Sequence, residues 1–228
     1  MKNIKTIAFD ADDTLWVNET YFHEAENEFC DFLKDYATKE EISAELFKTE
    51  MKNLPLYGYG IKGFVLCMIE TANKLSQQKM DSAHLDKIIQ LGHSLLEKPI
   101  ELLDGVSETL ENLSGKYQLI LATKGDLLDQ ERKLKKSGLE DYFHHVEIMS
   151  DKKKSDYQKL LSRLDTNSED FLMLGNSVKS DILPVLEIGG YSAYIPFHVT
   201  WAHEQSEKVE HERFVELTKI NEILNYLN

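Results

Sequence analysis

An apolar run that stops abruptly at three acids, Ile7-Ala8-Phe9-Asp10-Ala11-Asp12-Asp13-Thr14-Leu15-Trp16, sets the strongest limit on what this chain can fold into. A strand buried on both faces reads as a continuous apolar run, and it cannot carry unpaired carboxylates into the interior. The acids are therefore expected at the carboxyl end of a first strand over residues 4–9. In an open α/β sheet that edge is where ligands bind. Period-two alternation predicts that Asp10 and Asp12 point the same way into such a crevice. A pair of this kind suits a metal cation, or a nucleophile with an acid. An acidic turn in which Asp13 or Thr14 caps a following helix is the alternative.

The remainder of the chain gives the acids a setting. From about Glu19 to Leu96 apolar residues recur at helical spacing: Phe22, Ala25, Phe29, Phe32 and Leu33, then Ile42, Leu46 and Met51, then 64–75 and 85–96. After Pro99 the pattern changes to strands alternating with helices. Strands are expected at 117–122, 145–149, 171–174 and 191–195, with an amphipathic helix closing the chain over 214–227. The fold class is α/β: a Rossmann-like parallel sheet flanked by helices, with right-handed crossovers and an inserted all-helical cap domain. Residues 1–15 and 101–228 form the core domain, and 16–100 the cap, which should lie over the crevice.

Charge narrows the partners. With 40 acidic against 26 basic residues the net charge of −14 repels nucleic acid polymers and anionic membranes alike. An anionic substrate must then be met by local positive charge, a metal or backbone N–H groups. Cys30 and Cys67 lie in helical patterns without metal-ligand spacing and are expected to be reduced packing residues. No secretory apolar region follows Met1, and no window approaches 18 uncharged apolar residues, so a cytoplasmic protein is expected.

Each later strand also ends in polar groups: Thr123-Lys124-Gly125-Asp126, then Ser150 to Asp156, then Gly175-Asn176-Ser177-Val178-Lys179-Ser180-Asp181. Carboxylates, a hydroxyl, an ammonium group and an Asn with an Asp are the parts phosphoryl transfer needs. In this combination the chain resembles the haloacid dehalogenase-like hydrolases, specifically the Mg²⁺-dependent phosphatases with a helical cap. The family's DxDxT motif stands as Asp10 to Thr14, with Asp13 where the family usually has Gly. The resemblance implies that Asp10 is the nucleophile and that Asp12 is the acid and base, its carbonyl also binding Mg²⁺. It implies that Thr123, Lys124 and Lys152 bind substrate, with Lys153 and Lys154 as alternatives to Lys152. It further implies that Asn176 and Asp181 complete the metal site with Asp10 and Asp12. Asn176 replaces the usual Asp and lowers the ligand charge by one. The expected reaction is hydrolysis of a small phosphorylated metabolite, such as a nucleotide or sugar phosphate. A phosphomutase, or a non-catalytic binding protein on the same scaffold, is the alternative. A dehalogenase is disfavoured because it needs no metal and has no use for Asp12.

Two further stretches invite other readings. Gly58-Tyr59-Gly60-Ile61-Lys62-Gly63 matches GxGxxG, but what precedes it is short, holds Pro55 and follows a helix, so a dinucleotide site is rejected. Residues 57–62 are instead expected to be a cap loop facing the crevice, or a plain interhelical turn. His198, Trp201, His203 and Glu204 lack a third ligand at suitable spacing and are expected to form a lid or wall loop.

Overall fold

The computed structural model describes residues 1, 3–199, 201–204 and 209–227. In chain order its principal elements are β1 (Thr6–Phe9), α1 (Glu19–Leu33), α2 (Lys39–Tyr57), α3 (Ile61–Leu75), α4 (Ser82–Glu97), α5 (Val106–Leu113), β2 (Gln118–Lys124), α6 (Leu127–Ser137), β3 (His145–Met149), α7 (Lys154–Arg163), β4 (Phe171–Gly175), α8 (Leu183–Leu186), β5 (Tyr191–Tyr194) and β6 (Phe214–Glu216). The chain divides into two compact units, Met1–Glu19 with Ile100–Lys124 and Gln130–Asn228, and Thr20–Pro99 with Gly125–Asp129.

The first unit is built on a six-stranded sheet, among the described residues, in the order β3-β2-β1-β4-β5-β6. Every neighbouring pair is parallel. The sheet is the Rossmann-like α/β architecture that the strand–helix alternation predicts. The central strands are apolar on both faces because both faces are covered. Ile7, Phe9, Leu119, Leu121, Leu172 and Leu174 share one core with Val106 and Leu110 of α5. Ala8, Ile120, Ala122 and Met173 share the other with Tyr157 and Leu160 of α7. Strands build outward from β1 through β2 to β3 on one side, and from β4 through β5 to β6 on the other, so the order in which strands are added reverses between β1 and β4. That switch point is where an open parallel sheet leaves a crevice at its carboxyl ends. Register places Phe9 beside Leu121 and Leu174, and therefore brings Asp10, Thr123 and Asn176 to one edge.

Two expectations for this unit are corrected. No amphipathic helix spans 214–227; Phe214–Glu216 adds a sixth parallel strand beside β5, and a 3₁₀ turn follows over Ile220–Asn225. The apolar spacing explains the difference. Leu217, Ile220 and Ile223 are buried at intervals of three, which suits a 3₁₀ turn as well as a helical stripe. The second strand also runs two residues further than 117–122 suggests, so Thr123 and Lys124 are its last residues and not part of a loop.

The second unit is helical. Its core gathers Phe29 and Leu33 of α1, Ile42 and Leu46 of α2, Phe64 and Met68 of α3, and Ile88 and Leu91 of α4. Thr38 and Glu41 form a reciprocal capping box at the start of α2. Helix α2 continues through Pro55 to Tyr57, so no strand precedes the glycine-rich stretch. Gly58 and Gly60, at φ +70° and +110°, make the turn into α3, a backbone that L side chains rarely adopt. Cys30 and Cys67 are buried and free. No helix among the described residues is long and apolar enough to cross a membrane.

Candidate active site

Asp10 is the first residue beyond β1, and its backbone N–H still bonds to the Leu174 carbonyl at 2.9 Å. Its carboxylate is fixed from two sides. Lys152 Nζ donates to Oδ1 at 2.5 Å, and Thr14 Oγ1 donates to Oδ2 at 3.0 Å. Lys152, just ahead of α7, also donates to Asp181 Oδ1 at 2.7 Å. Asp10, Lys152 and Asp181 therefore form a triad with two carboxylates for one ammonium group. The side chains of Lys152 and Asp181 are each only 1% exposed, so water offers them little screening.

Burial pushes the Asp10 carboxyl up to about 7, against the pull of Lys152, and the charges of Asp181 and Asp12 add to the rise. The Asp10 and Asp181 carboxylates overcome the burial cost on Lys152 and hold its ammonium group well above the ordinary lysine range. A further cation beside these two buried carboxylates would favour the ionised form of Asp10.

The loop after β4 is shaped around Asp181. Ser177 N–H donates to Asp181 Oδ2 at 3.1 Å, and Ser177 Oγ accepts from the Ser180 N–H at 3.0 Å, starting a π-helical turn over Val178–Ile182. Gly175 has to lack a side chain, because a Cβ there would lie 2.2 Å from Asp181 Oδ2. Asn176 accepts a long bond from Thr14 Oγ1 at 3.4 Å, which ties this loop to the one after β1. Tyr157 of α7 donates to the Ser180 carbonyl at 3.0 Å, and Lys124 donates to Ser180 Oγ at 2.8 Å.

Asp12 does not share Asp10's partners. β1 ends at Phe9, so the period-two rule does not extend to Asp12, and the two carboxylates take different hydrogen-bond partners. Asp12 Oδ1 accepts from Trp16 Nε1 at 2.7 Å and from Lys133 Nζ at 2.9 Å, while Oδ2 accepts from Gln130 Nε2 at 2.9 Å. Gln130 Nε2 also approaches Thr123 Oγ1 at 3.1 Å and the Lys124 carbonyl at 2.6 Å. Asp13 occupies the left-handed region at φ +61°, where Gly is the usual solution and Asp is tolerated. Its carboxylate accepts from the N–H groups of Asn18 and Glu19. Burial and the charge of Asp12 push that carboxyl up to about 8.

The sequence candidates thus fall into two connected groups. Asp10, Lys152, Asn176 and Asp181 meet at the switch point, with Thr14 between Asp10 and Asn176. Asp12 and Thr123 meet at Gln130, and Lys124 reaches the loop after β4 through Ser180. Lys153 and Lys154, the alternatives to Lys152, are exposed at the start of α7. Gln130, Lys133 and Ser180 carry no sign of a site role in the sequence, and Thr14 stands there only as a motif residue and candidate cap. Thr14 belongs to the DxDxT motif and was legible there. Gln130 and Lys133 sit in the polar run Asp129 to Lys136, which gives no local sign of their partners.

The groups that would hold a cation here offer only oxygens: the carboxylates of Asp10 and Asp181, the Asn176 amide and, as the family resemblance implies, the main-chain carbonyl of Asp12. This chemistry fits a hard divalent cation such as Mg²⁺ and does not fit a thiolate- or imidazole-seeking metal. Among the described residues no three His, Cys, Asp or Glu side chains stand together as a metal cluster. That is consistent with a donor set in which an amide and a main-chain oxygen replace two acids. His203 contacts Lys179 Nζ at 3.0 Å and lies at a tilted angle against Trp201.

The chain is 36% identical to a haloacid dehalogenase-like family hydrolase from Xanthomonas campestris, covering 95% of this chain and 87% of that one with a TM-score of 0.86. The HAD-hydrolase YfnB from Bacillus subtilis, solved bound to magnesium, has a TM-score of 0.67 at 19% identity with 100% of each chain covered. A 2-haloacid dehalogenase from Pseudomonas syringae has a TM-score of 0.65 at 18% identity with 97% of each covered. The last two likenesses establish the fold alone. No curated protein matches the chain. Residues 4–189 match the family model of the haloacid dehalogenase-like hydrolases, and the chain belongs to that family.

Proposed function

We propose that this hydrolase is a Mg²⁺-dependent phosphatase acting on a small phosphorylated metabolite, a nucleotide or sugar phosphate being the substrate class. The observation that carries the reading is the state of Asp10: a strand-end carboxylate aimed by Lys152 at 2.5 Å and Thr14 at 3.0 Å, in a buried group of two carboxylates and one ammonium. Asp10 attacks phosphorus; an Asp10–O–P bond forms while the bond from phosphorus to the ester oxygen breaks. Asp12 gives a proton to that leaving oxygen, and then accepts one from the water that hydrolyses the aspartyl phosphate. Lys152, Lys124 and the Thr123 hydroxyl balance the charge of the phosphoryl oxygens and orient them. Asp10, the Asp12 carbonyl, Asn176 and Asp181 would hold Mg²⁺, which supplies charge neutralisation at the phosphoryl group. Family membership and the magnesium in the Bacillus subtilis structure support this choice.

Haloacid hydrolysis is the competing reading, since an aspartate beside a lysine can also attack carbon, and a 2-haloacid dehalogenase shares the fold. It leaves the three donors on Asp12 without a task. One assay separates the two. The protein is given p-nitrophenyl phosphate with Mg²⁺, the same with EDTA, and separately 2-chloropropionate. The expected result is phosphate release that EDTA abolishes and that Asp10→Asn lacks, with no chloride release. Chloride release without phosphate release would overturn the proposal, as would phosphate release that persists in Asp10→Asn.

A further inference from the structure

The donors around Asp12 are more numerous than a turn requires. Trp16 Nε1 and Lys133 Nζ occupy Oδ1, and Gln130 Nε2 occupies Oδ2. A carboxylate offers about four acceptor positions, so the bonds present leave one, on Oδ2. We propose that Gln130 and Lys133 are positioning residues for the proton carrier: they fix the Asp12 carboxyl so that Oδ2 is the oxygen that exchanges a proton with leaving group and water. The inference rests on the phosphatase reading, in which Asp12 handles that proton.

Three features of the structure separate this role from simple packing. Gln130 is 3% exposed, yet its Oε1 has no hydrogen-bond partner among the described residues. A buried orphaned amide oxygen is unfavourable, and an apolar residue of similar size would fill the site without it. What the amide contributes is its nitrogen, which links Asp12 Oδ2 to Thr123 Oγ1 and the end of β2. Lys133 is held from the far side as well. Its Nζ donates to Asn18 Oδ1 at 2.7 Å, and the Asn18 N–H donates to Asp13 Oδ1 at 2.8 Å. The left-handed turn at Asp13 therefore reaches Asp12 through Asn18 and Lys133. Finally, Gln130 and Lys133 are three residues apart on α6, so one face of one helix carries both donors. Neither touches Asp10, which is why their loss should affect proton transfer and not the attack itself.

The test uses two esters that differ in their need for a proton. p-Nitrophenolate leaves unprotonated, whereas the alkoxide of an alkyl phosphate such as glycerol phosphate does not. kcat/KM on both is measured for wild type, Lys133→Met, Gln130→Met and Lys133→Arg. General acid–base help is worth ~10²–10⁴, so losing its alignment is expected to lower the alkyl-to-aryl ratio by about tenfold in the two Met variants. Lys133→Arg, which keeps a cationic donor, should recover most of the ratio. An equal fall on both esters would mean that the network only holds α6 to the first loop, and would overturn the proposal. An unchanged ratio would overturn it too. Wild-type protein that hydrolyses neither ester would remove the phosphatase reading, and this inference with it.

Discussion

Gly175 and Asp181 show how a single atom can set the site. The carboxylate of Asp181 lies where a Cβ of residue 175 would be, and Asp181 in turn holds Lys152 against Asp10. Gly175→Ala should therefore push Asp181 off Lys152. Overpacking of this kind costs ~1–3 kcal/mol, and each kcal/mol moves Tm by about 2–4 °C in a chain of this size. Differential scanning calorimetry should show that drop, together with a loss of turnover larger than the stability change explains. A variant with wild-type Tm and wild-type turnover would contradict the placement of Asp181. Asp13 illustrates the converse. The family's usual glycine at this position is understood from φ +61°, and Asp serves because its carboxylate accepts the N–H groups of Asn18 and Glu19.

At the level of elements, the helices of the second unit bury both thiols. Cys30 on α1 and Cys67 on α3 are each pushed up to about 11 by burial. At pH 8 the thiolate, which is the reactive form, is then scarce. Ellman's reagent should label neither cysteine in native protein at that pH and both in denaturant; rapid native labelling would contradict the packing of these helices. The sign of the linked stability effect is fixed by the rise. A raised thiol pKa leaves stability intact below the ordinary value near 9.0 and removes it as the pH climbs through about 11. The elements also show what the sequence could reveal. Strands β1, β2 and β4 are legible because burial on both faces leaves an uninterrupted apolar run. The carboxyl-terminal segment was not, because buried residues three apart fit a helix stripe and a 3₁₀ turn alike. The separate hydrogen-bond partners of Asp10 and Asp12 are hidden for a related reason: periodicity describes side-chain direction within a strand, and β1 ends one residue before Asp10.

For the molecule as a whole, parallel topology gathers groups from four distant stretches at one sheet edge. Asp10, Lys152, Asn176 and Asp181 were legible as a set because each follows a strand and the family's motifs fix their order. Gln130 and Lys133 were not, since only the packing of α6 beside the β2 end gives them a partner. The charge balance follows the same logic. A chain of net charge −14 that is to bind a phosphate ester needs concentrated positive charge, and Lys124 and Lys152 supply it at the edge where a cation would add to it. The central claim is that Asp10 becomes covalently phosphorylated. The direct measurement is rapid acid quenching of enzyme mixed with a phosphate ester and Mg²⁺, followed by peptide mapping by mass spectrometry. The account predicts one phosphoryl group on the peptide containing Asp10, absent when EDTA replaces Mg²⁺ and absent in Asp10→Asn. Turnover with the phosphoryl group on another residue, or with Asp10→Asn as active as wild type, would contradict it.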